Sequence, residues 1–136
     1  ALEGKTLDIL QRDVFPAWMA PSNPVDIWPA IEQHGFNAFG DSIKTVLADD
    51  RVDGIILLPF ASRMLEYFPF EDIGEAVHAS DKAVVSWMFG DSRYFDTLEE
   101  HMRDLGIPVY QDLHSCVLAL KSYLGFARQA RNKRKD

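Results

Sequence analysis

Apolar residues recur along this chain with two different periods, and the alternation of those periods outlines the fold. Residues 5–14 (KTLDILQRDV) place Leu7, Ile9, Leu10 and Val14 near helical spacing, which predicts a short helix. Pro16, Pro21, Pro24 and Pro29 then punctuate an extended stretch, within which Val25-Asp26-Ile27 is expected to form a brief strand. Helical spacing returns over residues 36–50, with Phe39, Ile43, Val46 and Leu47 on one face. Gly54-Ile55-Ile56-Leu57-Leu58-Pro59 is a continuous apolar run bounded by turn residues, the mark of a strand covered on both faces. Ala83–Met88 repeats that pattern, and Ile107-Pro108-Val109-Tyr110 is a shorter third case. Helical patterns around Ser62–Phe68 and Glu71–Ala79 separate the first two runs. Tyr94–Leu105 separates the second and third, closed by Gly106 as a left-handed C-terminal residue. Asp112 is placed to cap a last helix running to about residue 130. Strand–helix alternation of this kind predicts an α/β fold: a parallel sheet of three to four strands with helices on both faces.

Composition narrows the function classes. The 136 residues carry 21 acidic and 14 basic side chains, a net charge of −7. Five of the basic residues (Arg128, Arg131, Lys133, Arg134, Lys135) crowd into the last nine positions, so residues 1–127 hold a net of −11. A body that acidic repels a phosphate backbone, and no nucleic-acid partner is expected. The basic end reads as a solvated helix terminus or linker. The sequence has no apolar run of the ~20 residues that cross a bilayer and no secretory signal pattern, so no membrane partner is expected and a cytoplasmic location is. The lone Cys116 excludes an internal disulfide and a cysteine-built zinc site, and is expected in the core.

Ligands of an open parallel sheet bind beyond the carboxyl ends of its strands. The segments placed there are Asp26-Ile27-Trp28, Pro59-Phe60-Ala61-Ser62, Phe89-Gly90-Asp91-Ser92 and Gln111-Asp112. The eight glycines are scattered singly, so neither a Walker loop nor a G-x-G-x-x-G cradle is present, and no G-x-S-x-G elbow supplies a nucleophile. His34, His78, His101 and His114 sit in separate segments without metal-ligand spacing, and no metal site is expected. Asp26 either orients a ligand group or accepts backbone N–H groups in its turn. Asp91 and Ser92 read as helix capping before anion reception. Asp49, Asp50 and Asp53 read as a solvated turn. No catalytic residue emerges.

Four segments in order carry a family resemblance: Asn23-Pro24-Val25-Asp26-Ile27; Leu47 through Leu57 (LADDRVDGIIL); Lys82 through Gly90 (KAVVSWMFG); and Gly106-Ile107-Pro108-Val109-Tyr110, followed by Ser115 through Leu120. Together they resemble the NDP-forming (ADP-forming) acyl-CoA synthetases, relatives of succinyl-CoA synthetase, over about residues 10–127. The resemblance implies their three-layer, flavodoxin-like (Rossmann-like) CoA-ligase domain, truncated at its N-terminus. It divides the chain into a helix and proline-rich lead-in (1–30), a domain core (31–127) and a basic tail or linker (128–136).

By that resemblance the full enzyme converts a carboxylic acid, CoA and ATP, with Mg, to acyl-CoA through an acyl phosphate and a phosphohistidine carried by another domain. Its partners would be the CoA-binding, phosphohistidine and ATP-grasp domains of the same synthetase. This chain would hold none of those cofactors and would not be active by itself. It would present to the phosphohistidine or the acid substrate Asn23, Asp26, Phe60, Ala61, Ser62, Gly90 and Ser92. Similar domains are also fused to bacterial protein lysine acetyltransferases, which implies an alternative as a regulatory module sensing a CoA thioester. Family members begin with one further strand, so the strand at Gly54–Leu58 is expected to lie at an open edge, with a homodimer as one way to cover it. The Pro59–Ser62 loop also lacks the paired glycines of succinyl-CoA synthetase, which makes close phosphate approach harder there.

Overall fold

The computed structural model describes residue 2 and residues 4–133. Two compact units emerge from the chain: Ala1–Val52 with Tyr67–Asp81, and Asp53–Glu66 with Lys82–Asp136.

The first unit is helical. α1 (Lys5–Ile9) runs directly into one turn of wider π-helix at Leu10–Val14. α2 (Trp28–His34), α3 (Asn37–Leu47) and α4 (Phe70–His78) follow. The apolar face of α3, with Ala38, Ile43, Val46 and Leu47 buried, meets α4, α2 and the first helical segment. Leu10 and Ile73 are fully enclosed there. An aromatic chain, Phe39–Phe68–Phe70, has centroids 4.6 and 4.9 Å apart, a spacing at which tilted rings attract.

Two expectations fail in this unit. Val25-Asp26-Ile27 forms no strand; instead the chain enters α2 one residue later, and Pro29 sits in its first turn. Proline lacks only an N–H that a helix start leaves unbonded anyway, so Pro29 begins a helix instead of breaking one. Asp49 is no solvated turn residue. It is nine-tenths buried, accepts a hydrogen bond from Thr6 Oγ1 at 2.6 Å and pairs with Arg51 at 2.8 Å. These contacts hold its carboxyl well below the usual carboxylate range, the Arg51 hydrogen bonds contributing most.

The second unit holds the sheet. β1 (Gly54–Leu57), β3 (Ala83–Trp87) and β5 (Val109–Tyr110) are parallel in the order β1-β3-β5. Gly54 pairs with Ala83 and Leu57 with Ser86, while Ser86 and Trp87 pair with Val109 and Tyr110. Among the described residues β1 is an edge, with β3 its one neighbouring strand. β2 (Phe60–Ala61) and β4 (Phe89–Gly90) form a second parallel pair, Phe60 on Phe89 and Ala61 on Gly90. Their register keeps the offset of β1 and β3, so the same ladder resumes after a gap at Leu58-Pro59, where proline has no N–H to donate. Helices lie around this sheet. α5 (Phe95–Asp104) packs on β5, and α6 (Leu113–Lys133) packs on all three strands. Leu98, Met102, Ile107 and Cys116 are at most 1% exposed between these layers. The structure is therefore α/β with a parallel sheet, consistent with a flavodoxin-like fold.

Candidate functional site at the carboxyl ends of the strands

Past the Leu58-Pro59 gap, β2 and β4 carry the sheet's carboxyl end outward and bring Phe60, Ala61, Ser62, Gly90 and Ser92 together. Gly90 adopts φ +123°, and a Cβ there would stand 2.5 Å from the Ala61 carbonyl oxygen. Only glycine permits that backbone approach. The Asp91 N–H seals the contact by donating to the Ala61 carbonyl at 2.8 Å. Ala61 is fully buried, whereas Phe60 is 55% exposed.

Each strand end then turns into a short 3-10 helix, at Arg63–Tyr67 and Ser92–Tyr94. Ser62 Oγ accepts the Met64 N–H at 3.1 Å, which starts the first. Asp91 starts the second: its Oδ1 accepts the Arg93 N–H at 3.0 Å. The Arg93 guanidinium folds back on the same carboxylate, with Nε 3.0 Å from Oδ2. These Arg93 contacts lower the Asp91 carboxyl pKa. The capping reading of Asp91 therefore holds, while Ser92 stands exposed at the first position of the helix. Asp112 caps α6 in the same way, Oδ1 accepting the Ser115 N–H at 2.7 Å.

Asn23 and Asp26 belong to the helical unit. Asn23 is exposed and precedes a cis peptide bond to Pro24. Asp26 Oδ1 accepts the Trp28 N–H at 3.1 Å, so of its two readings the backbone-capping one is what the structure displays.

Two features of the sheet end were missed by sequence reasoning. Trp87 stacks on Phe89 at 5.3 Å, and Phe89 meets Phe60 edge-on at 5.3 Å. Two-residue spacing along β3–β4 foreshadows the first contact, but the Phe60–Phe89 register is not visible locally. The second is Ser86. It is fully buried in β3, and its Oγ has no hydrogen-bond partner among the described residues.

No group of three or more His, Cys, Asp or Glu side chains that could hold a metal ion occurs among the described residues. None of the described helices is long and apolar enough to cross a membrane.

No family model matches the chain, and no solved structure matches it at a significant level. One curated relative does. The chain is 30% identical over 121 residues, 86% of its length, to an ADP-forming acetate–CoA ligase II of Archaeoglobus fulgidus. The chain spans 17% of the length of that relative. This similarity supports kinship with the ADP-forming acyl-CoA ligases.

Proposed function

We propose that this chain is the flavodoxin-like CoA-ligase domain of an ADP-forming acyl-CoA synthetase, acting with other domains to convert a carboxylic acid, CoA and ATP to acyl-CoA. The observation that carries the reading is the 30% identity to an ADP-forming acetate–CoA ligase along 86% of the chain. The regulatory, acetyltransferase-linked alternative has no corresponding support.

In this reading the domain contributes a surface to the reaction and no nucleophile. The 3-10 turn at Ser92–Tyr94 and α5 run on without a break, so their aligned peptide dipoles point a positive end out of the sheet's carboxyl edge. A phosphohistidine or acyl phosphate approaching Ser92 gains from the positive end of that dipole, worth about 1 kcal/mol and up to ~2 when partly buried, the Arg93 and Tyr94 N–H groups themselves being taken by Asp91. Arg93 neutralises the Asp91 carboxylate, which would otherwise repel the phosphate. Phe60 and Phe89 offer an apolar wall to the hydrocarbon part of an acid. The residues do not fit a nucleotide and its metal. The only glycine of the two loops, Gly90, is packed against Ala61, and no carboxylate cluster is present among the described residues. In this reading ATP, Mg and CoA are bound by other domains of the synthetase.

The test is made on the full-length protein, supplied with ATP, CoA and short carboxylic acids, with ADP and acyl-CoA measured. Ser92→Asp sets a carboxylate in the path of the phosphate and is expected to slow turnover at least about tenfold, a loss of ~1.4 kcal/mol of transition-state stabilisation, whereas Ser92→Ala stays near wild type. An intact protein that forms no acyl-CoA from any acid overturns the proposed function. Equal rates for Ser92→Asp and wild type overturn the role of this helix start.

A further inference from the structure

The N–H bonds of a guanidinium lie in one plane and point out along two forks, one joining Nε to a terminal nitrogen and one joining the two terminal nitrogens. In Arg93 the first fork is occupied. Nε lies 3.1 and 3.0 Å from the two carboxylate oxygens of Asp91, and Nη2 lies 2.5 Å from Oδ2. Nη1 has no hydrogen-bond partner among the described residues, and the side chain is 80% exposed. The second fork is therefore open.

The fold fixes where that fork stands. The Asp91 N–H donates to the Ala61 carbonyl at 2.8 Å, which ties the end of β4 to β2. Asp91 in turn takes the Arg93 N–H on Oδ1 at 3.0 Å and the Tyr94 N–H on its carbonyl at 3.0 Å. The guanidinium carbon lies 5.9 Å from the centre of the Tyr94 ring, within the range of cation–π attraction. An exposed arginine ordinarily loses rotamer freedom when it grips an anion; in Arg93, Asp91 and Tyr94 already restrict that freedom. Such an exposed ion pair adds little to stability, so what it supplies is aim.

A second cation stands at the neighbouring strand end. Ala61 pairs with Gly90, and Arg63 and Arg93 follow these paired positions by two and three residues. Arg63 is exposed. Its side chain has no ion pair or hydrogen bond among the described residues, Glu66 on the same turn included.

On the reading of function above, we propose that Arg93, through its open fork, and Arg63 together bind the phosphoryl group that reaches this end of the sheet. Asp91 is the positioning residue of Arg93. A phosphoryl group has three terminal oxygens, enough for one guanidinium fork and a second cation, whereas the two oxygens of a carboxylate are filled by the fork alone.

The test uses the full-length enzyme in the reverse direction, with acyl-CoA, ADP and inorganic phosphate giving the acid, CoA and ATP. Arg93→Ala and Arg63→Ala are each expected to raise the KM for phosphate about tenfold, with the KM values for ADP and acyl-CoA and the urea midpoint near wild type. Arg93→Lys keeps the charge without the fork and recovers only part of the loss. Asp91→Asn releases Arg93 and raises the phosphate KM several-fold. Arg103→Ala, at an exposed arginine paired with Glu99 farther along α5, is the control and leaves the phosphate KM unchanged. A wild-type phosphate KM in either Arg93→Ala or Arg63→Ala overturns the proposal. A lower phosphate KM in Asp91→Asn also overturns it, because Asp91 then competes for Arg93 instead of positioning it. So does a raised KM for the acid in the forward direction with the phosphate KM unchanged, which assigns the fork to the carboxylate. Wild-type enzyme that forms no acyl-CoA from any acid is a separate result: it overturns the reading of function on which the proposal rests.

Discussion

Gly90 and Gly106 both adopt positive φ, +123° and +72°, yet replacing each by alanine has different consequences. At Gly106 an added Cβ meets nothing within 4 Å. Gly106→Ala therefore costs only the left-handed conformation, about 1–2 kcal/mol, partly offset by a stiffer unfolded chain, about 0.4–1 kcal/mol. The net loss is about 1 kcal/mol. At Gly90 the conformation lies in a region that side chains avoid, at about 1–3 kcal/mol. The new Cβ also stands 2.5 Å from the Ala61 carbonyl oxygen and 2.8 Å from its nitrogen, both backbone atoms that cannot swing aside. Overpacking of that kind costs a further ~1–3 kcal/mol. Separating the strands to relieve it would break the 2.8 Å Asp91–Ala61 hydrogen bond, worth about 1 kcal/mol. Gly90→Ala is thus expected to lose about 2–6 kcal/mol before the same ~0.4–1 kcal/mol offset, more than Gly106→Ala by the overpacking alone. Urea denaturation followed by circular dichroism measures both, the midpoint shift giving the loss where the slope is unchanged. Equal losses at the two positions would refute the close approach of β2 and β4.

Four other outcomes are expected. Asp49 has its carboxyl pKa lowered in the folded chain, so its contribution is fully present above the ordinary carboxylate pKa of ~3.9 and is lost as pH falls below it; Asp49→Asn should flatten the acid limb of stability against pH, and an unchanged acid limb argues against it. Burial raises the Cys116 thiol pKa, so a thiol reagent at neutral pH should label it only as fast as the protein opens, and stoichiometric labelling of the folded chain contradicts this. Leu98, fully enclosed, should cost about 2–5 kcal/mol when cut to alanine, again read from urea midpoints. Ser86→Ala removes a buried hydroxyl without a partner among the described residues and should be neutral or stabilising by about 1 kcal/mol; a loss above ~1 kcal/mol would mean that the hydroxyl is bonded.

Strands were legible where their chemistry is local. Gly54–Leu57 and Ala83–Trp87 are continuous apolar runs, and both form parallel strands in the expected neighbourhood. Gly106 ended its helix as its position predicted, and Asp112 capped the next. What stayed hidden depended on residues far apart in the chain. Asp49 reads as one of three carboxylates in a polar turn until Thr6, 43 residues away, donates to it. Pro29 has the same local signature as Pro16 and Pro21, and only its place at the start of α2 distinguishes a helix opener from a breaker. The second strand pair escaped notice because Pro59 interrupts the ladder and leaves only two residues of each strand paired beyond the gap, too few for a period to register.

The sheet end itself explains why its residues offer shape and dipole in place of reactive groups. A close contact between β2 and β4 requires glycine at 90 and a small residue at 61, so neither position can carry a functional side chain. Ser62 and Asp91 have their oxygens occupied in starting the turns that follow. Arg93 is held by Asp91 and sits with its charge balanced. That leaves the exposed start at Ser92 and the flanking rings of Phe60 and Phe89. On the proposed reading such a surface receives a phosphate or an acyl chain. The nucleophile, on the same reading, is brought by another domain, and Ser92→Asp is the variant that tests its approach to this end of the sheet.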